Sequence, residues 1–297
     1  MYNIKSTLIG FFTFILIVTE LTIGFGTLAI INIPRAIFPL KSFKIKLSKI
    51  SNTIGDMTVY GLKIIMKIMH KDSMQVFDDN EFDKNNWYMA VSNHQSWADI
   101  FIVLVAAHNR IPLLKFFMKK ELAWIPFIFL ANKTLNMPFV NRHSKKQIEK
   151  NPNLRFQDYE NTVKACQRFL RSPSTIFSYA EGTRNNAIKH KLQNSPYKNL
   201  LKPRIGGIAT ALSAMPNINV LVDYSVVYKS KRRGAWAFLK GDMRDVKVLV
   251  KKYEIPENLR NKNYSTDDQY RKDFKKSIIA SKNIKKNRNT QSACFIN

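Results

Sequence analysis

The stretch WYMAVSNHQSWAD, Trp87 to Asp99, decides how the rest of the chain reads. Trp87 to Val91 is aromatic and β-branched, the composition of a buried strand, and Asn93 to Ser96 interrupts it with side chains that hydrogen-bond their own backbone. Ser96 is placed to cap a helix from Trp97 onward, which puts Asp99 in the first helical turn and His94 in the loop before it. A carboxylate on one imidazole nitrogen fixes the tautomer and leaves the other nitrogen as a base. Taken alone, a histidine and an aspartate at this spacing are more often a capping carboxylate and a loop histidine than a catalytic pair. The rest of the sequence must decide between the two.

Downstream, short apolar runs keep stopping abruptly. Leu113 to Phe117 and Met137 to Val140 read as strands, the second ending at Asn141 and Arg142. Phe156 to Arg171 reads as a helix carrying Val163, Cys166, Phe169 and Leu170 on one face. Ser174 to Tyr179 repeats the opening pattern and breaks at Glu181, Gly182, Thr183 and Arg184. Gly206 and Gly207 precede a helix to Met215, with Lys202 and Arg204 beside its start, a place that favours an anion. Asn219 to Tyr228 is the longest β-branched run and reads as a central strand, and Val246 to Val250 as another. Strand, loop and helix alternate, so the fold class is α/β: a mixed, largely parallel sheet covered by helices. Ligand sites in such sheets form at the carboxyl ends of strands, and His94 and Glu181 both lie at that edge.

Upstream, Thr7 to Ile33 is almost wholly apolar. It exceeds a signal-peptide core and, as a helix, is long enough for a hydrocarbon layer of roughly 30 Å. Gly24, Gly26 and Pro34 leave open a hairpin within one leaflet in place of a span. Arg35, Lys41, Lys44, Lys46 and Lys49 follow, a positive flank that belongs on the cytoplasmic side of a membrane, so the soluble part is expected to face the cytoplasm. Asn52 to His70 is amphipathic and fits either a headgroup layer or a core. The expected organisation is an anchor with its basic flank at 1–50, an amphipathic interfacial or core helix and lead-in strand at 51–86, a domain carrying the His94 site at 87–265 and a basic C-terminal helix or tail at 266–297.

The chain of 297 residues carries a formal net charge of +27, which calls for a polyanionic partner. With so long an apolar start, anionic membrane lipid explains that charge better than nucleic acid does. Two cysteines, Cys166 and Cys294, exclude a disulfide framework. His70, His108, His143 and His190 show no ligand spacing around His94, so no metal is expected.

With these stretches in view, the chain resembles the glycerolipid acyltransferase family, whose best-known members are 1-acylglycerol-3-phosphate acyltransferases. His94-Gln-Ser-Trp-Ala-Asp99, Phe139-Val-Asn-Arg142, Ile176-Phe-Ser-Tyr-Ala-Glu181-Gly-Thr-Arg184 and the strand Val220 to Val226 match the family's four blocks in order. Lys119-Lys-Glu-Leu-Ala-Trp-Ile-Pro126, Asn136-Met-Pro-Phe139 and Leu201-Lys-Pro-Arg-Ile-Gly-Gly207 look like the lysophospholipid and lysocardiolipin branch, including bacterial inner-membrane members of the YihG type. Ala180 replaces a proline common before the glutamate, and the fourth block has no proline in its strand. The resemblance implies a glycerol-3-phosphate acyltransferase-like fold and transfer of a fatty acyl group from acyl-CoA or acyl carrier protein to a lysophospholipid hydroxyl, with no other cofactor. His94 would be the base and Asp99 its orienting carboxylate. Arg142 and Arg184 suit a phosphate, with Glu181, Gly182 and Thr183 in the same substrate-binding loop. Glu181 would order that loop through an arginine or touch the glycerol hydroxyl. The competing reading is a non-catalytic, membrane-anchored protein that binds anionic lipid or nucleic acid by charge, and it requires no His94.

Overall fold

The computed structural model of the chain describes residues 4–38, 40–71, 73–119, 123–124, 129, 132–137, 139–140, 145–151, 153–167, 169–204, 206–260, 267, 269 and 272. The central element is a six-stranded sheet made of β1 (Met74–Phe77), β2 (Tyr88–Ser92), β3 (Leu114–Phe116), β6 (Thr175–Tyr179), β7 (Val220–Tyr228) and β8 (Val246–Glu254). Its order is β1-β8-β7-β2-β6-β3. β7, β2, β6 and β3 run parallel to one another, β8 is antiparallel to β7, and β1 is parallel to β8. The sheet is therefore mixed and mostly parallel, as the alternation of elements predicts. A small parallel pair, β4 (Met118–Lys119) with β5 (Phe139–Val140), lies apart from it.

Helices cover both faces because the central strands are apolar on both sides. All five residues of β2 are buried. Tyr88 and Ala90 pack on one face with Phe177, Val222 and Tyr224, beneath Leu62, Ile65 and Met66 of α2 (Lys41–His70) and Phe101, Ile102 and Val105 of α3 (Asp99–Ala107). Met89 and Val91 face the other way, onto Cys166 and, with Ile176, onto Ile208, Ala209 and Leu212. Those partners belong to α5 (Asn153–Cys166) and α7 (Gly206–Ala214); α4 (Lys145–Lys150) precedes α5, and α6 (Ala187–Leu192) lies between β6 and α7. Burial pushes the Cys166 thiol up to about 12, so it stays a protonated apolar filler.

α1 (Ile4–Ile37) is one unbroken helix that runs through Pro34, which gives up a single N–H bond to the carbonyl four residues back. No hairpin forms inside Thr7–Ile33. Gly24 has a different use: a Cβ there would lie 2.3 Å from Thr58 Oγ1, so the glycine lets α1 and α2 approach closely. The two helices are connected only by residues 38–40, and α2 begins well before Asn52. Its inner face enters the core of the sheet, while Met57, Ile64 and Ile68 stay exposed alongside Phe11, Phe12, Ile15 and Ile30 of α1. By length and composition, Ile4–Ile31 is apolar enough to cross a membrane, with a mean hydropathy of 2.2 over its best window.

Several boundaries differ from the sequence expectation. β8 continues to Glu254 past Lys251 and Lys252 because it pairs with β7 along its whole length, even though the buried alternation of Val246, Val248 and Val250 gives way to exposed Lys252 and Glu254. Lys252 lies over the Phe82 ring and donates to the Glu81 carbonyl at 3.0 Å, an arrangement that keeps its charge at the surface. The helix expected at 156–171 starts at Asn153, ends at Cys166, and is followed by a 3-10 turn at Phe169–Arg171.

Candidate active site

The carboxyl ends of β7, β2 and β6, three adjacent parallel strands, bring the chemistry together. β2 ends at Ser92, two residues before His94, and β6 ends at Tyr179, two before Glu181. Tyr228 closes β7. Asn93 fixes where the first loop leaves the sheet: its amide donates to the Val226 carbonyl and accepts from the Val226 N–H, both at 2.8 Å.

His94 and Asp99 meet as the spacing implies, with Nδ1 2.8 Å from Asp99 Oδ2. The same oxygen accepts from the Gln95 and Ser96 amides at 2.6 and 2.8 Å. Asp99 Oδ1 accepts from the Tyr228 hydroxyl. The carboxylate is fully buried and the imidazole is 18 % exposed, so the histidine reaches solvent and its partner does not. Ser96 is not the cap of a helix from Trp97, as its residue type suggests. Its hydroxyl accepts from the Ala98 amide and donates to the Arg233 carbonyl at 2.7 Å, and the helix starts only at Asp99. The Asp99 carboxylate itself folds back on the preceding amides, which is how a residue in the first turn holds the loop that carries His94.

Glu181, also fully buried, joins two loops through backbone. Oε1 accepts from the His94 N–H at 2.9 Å and Oε2 from the Leu201 N–H at 2.7 Å. The Asn185 amide donates to the His94 carbonyl at 2.7 Å, so both backbone polar groups of His94 are held by the second loop. Gly182 turns at φ +68°, and a Cβ there would meet Arg204 Cδ at 2.7 Å. Any other residue would be strained at that turn. Thr183 accepts from Lys189 Nζ at 2.8 Å, and the same ammonium donates to the Arg184 carbonyl at 3.3 Å, fixing a backbone from which the exposed Arg184 projects. Arg142 lies outside the described residues.

Three contributors carry no signal in the opening stretch. Tyr179 stacks on the imidazole at 3.9 Å between centroids with 11° between planes, and its buried hydroxyl has no hydrogen-bond partner among the described residues. Tyr228 is one. Arg233 is the third: it donates to the Gln95 side chain and lies 5.5 Å over the Tyr228 ring. The signal available for the two tyrosines was position, since each is the last residue of a strand whose carboxyl end faces the histidine.

A histidine tied to a buried carboxylate at the carboxyl edge of an α/β sheet, with arginine-bearing loops beside it, is an arrangement able to take a proton from a bound hydroxyl. The sequence pattern of the acyltransferase family matches residues 73–229, and the chain belongs to that family. In three dimensions it is similar to the crystal structure of the 1-acyl-sn-glycerophosphate (LPA) acyltransferase PlsC from Thermotoga maritima, with a TM-score of 0.53 over 95 % of this chain and 97 % of that one at 13 % identity. No curated protein sequence matches the chain.

Proposed function

We propose that the protein moves a fatty acyl group from acyl-CoA or acyl carrier protein to the free hydroxyl of a lysophospholipid, 1-acylglycerol-3-phosphate or a relative such as those used by the YihG-like branch. The observation that carries this reading is the His94–Asp99 pair at the carboxyl edge, with imidazole accessible and carboxylate buried. Asp99 occupies Nδ1, so Nε2 is the nitrogen that takes the proton from the acceptor hydroxyl as its oxygen attacks the thioester carbonyl. The tetrahedral intermediate collapses with loss of the thiolate, and the imidazolium returns a proton to the leaving sulfur. The acceptor hydroxyl replaces an enzyme nucleophile, so no acyl-enzyme is needed. Family membership supports the transfer of an acyl group; the acceptor and donor rest on the resemblance and on the formal charge of +27, which suits polyanionic substrates.

The test is acyl transfer from radiolabelled acyl-CoA to a panel of lysophospholipids by membranes carrying the wild type or His94→Ala. Product formed equally by both would leave only the charge-based binding protein. Arg184→Ala and Arg142→Ala are expected to raise KM for the phosphorylated acceptor about ten- to a hundredfold, the loss of one charge-assisted contact. The KM for the donor should change little. Unchanged acceptor kinetics would remove both arginines from the phosphate site.

The exposed apolar faces of α1 and α2 support membrane attachment, while the placement at the inner membrane with the site on the cytoplasmic side rests on the resemblance and on the positive flank after α1. The protein is then expected to stay in the membrane fraction through a wash in molar salt, because apolar burial is insensitive to ionic strength whereas lysine contacts are screened. Release by salt alone would make lysine contacts, not the helices, the attachment.

A further inference from the structure

We propose that Tyr228 is a positioning residue of the transfer reaction: its hydroxyl holds Asp99 Oδ1, so that the other carboxylate oxygen stays trained on the His94 imidazole. The inference rests on the general-base reading above and adds to it a third strand, β7, whose last residue reaches the dyad.

The bonds divide cleanly between the two carboxylate oxygens. Oδ2 collects the imidazole and two amides of the same loop, all within five residues of Asp99. Oδ1 takes its bond from a side chain 129 residues away in sequence. With Asp99 fully buried, removing that donor leaves one carboxylate oxygen without its hydroxyl partner in a place water does not reach. The tyrosine is the donor in this pair, because burial and then the Asp99 charge push its phenol well above the usual range.

Tyr228 is also braced from behind. The Arg233 guanidinium lies over its ring and bonds the Gln95 side chain, and the Ser96 hydroxyl donates to the Arg233 carbonyl. The loop after β7 is thus tied to each of the two residues that follow His94. Charged and titratable groups around the dyad come from every side: Glu181 beneath the His94 amide, Tyr179 on the imidazole face, and Arg233 beyond Tyr228.

Tyr228→Phe deletes one oxygen and keeps the ring that Arg233 covers. A carboxylate that loses a donor holds a proton more readily and also draws one more strongly onto its imidazole partner. Both effects act in one direction. The acid limb of the kcat/KM profile should move to higher pH by about half a unit or more, and kcat should fall roughly ten- to a hundredfold with little change in either KM. In nitrogen-15 NMR of the substrate-free protein, the midpoint of the His94 titration should move the same way, a readout that does not depend on which substrates are used. Tyr224→Phe is the comparison: that hydroxyl, on the same strand, is buried with no hydrogen-bond partner among the described residues, and its removal should move neither midpoint nor kcat. In the Asp99→Asn background, Tyr228→Phe should add less than its own single loss, since it acts through the carboxylate. A Tyr228→Phe protein with the wild-type NMR midpoint and acid limb would overturn the inference even where His94→Ala has upheld the base. Failure of His94→Ala to reduce transfer would overturn the base itself, and the NMR midpoint would still report whether Tyr228 governs the pair.

Discussion

His94→Ala is expected to lower acyl transfer by about a hundred- to ten-thousandfold, the range for removal of a general base. The protein should remain folded and attached to membranes, because the side chain is partly exposed and the backbone bonds of residue 94 to Glu181 and Asn185 do not depend on the imidazole. The assay is the initial rate at matched protein level, measured against pH. In the wild type the working form is the neutral ring, so activity should fall on acidification as His94 takes up a proton. The alanine protein should lack that limb altogether, its residual rate following only the ionisation of the substrates. A variant keeping more than about a tenth of the wild-type rate would lie well outside the range for a lost base and would defeat the catalytic role. Loss of rate together with loss of the folded protein is excluded by comparing thermal unfolding of the two forms.

The dyad and the sheet were legible because both depend on local chemistry. Tyr88 to Ser92 and Thr175 to Tyr179 are short apolar runs that end in loop formers, and a parallel sheet needs that pattern at each strand end. The His94 to Asp99 spacing closes within one turn, so sequence distance alone predicts the contact. What stayed hidden was every contact made across the chain. Tyr228 and Arg233 reach the site through strand order, which composition does not specify, and Tyr228 looks from sequence like one more aromatic at the end of a buried run. Glu181 was expected to order its loop through an arginine or touch the glycerol hydroxyl; that its two oxygens also take the amides of His94 and Leu201 is a contact between loops that residue identity does not announce. Ser96 misled for a related reason: the strongest capping residue in the segment was already committed to the loop around Arg233.

Asp99 permits a sharper separation of charge from position, because its substitutions should divide activity from stability. Asp99→Asn can keep an oxygen at the Oδ2 position, where the Gln95 and Ser96 amides have no other role than to donate. Its amide group then faces the Tyr228 hydroxyl, which must turn round to accept. The fold survives this exchange, but the imidazolium formed during transfer has lost its counter-charge. Activity should fall on the order of a hundred- to ten-thousandfold, as it does when a buried dyad carboxylate is neutralised elsewhere. Asp99→Ala should show a comparable loss of rate, since both variants lack the charge. It should differ in stability, leaving two backbone donors and the Tyr228 hydroxyl unsatisfied in a fully buried site, each at a cost of about 1–3 kcal/mol. The expected pattern is therefore similar residual activity with a clearly lower Tm for the alanine protein. An asparagine protein retaining most of the wild-type rate would show that Asp99 serves by position alone, and the charge would then have no part in the chemistry of His94.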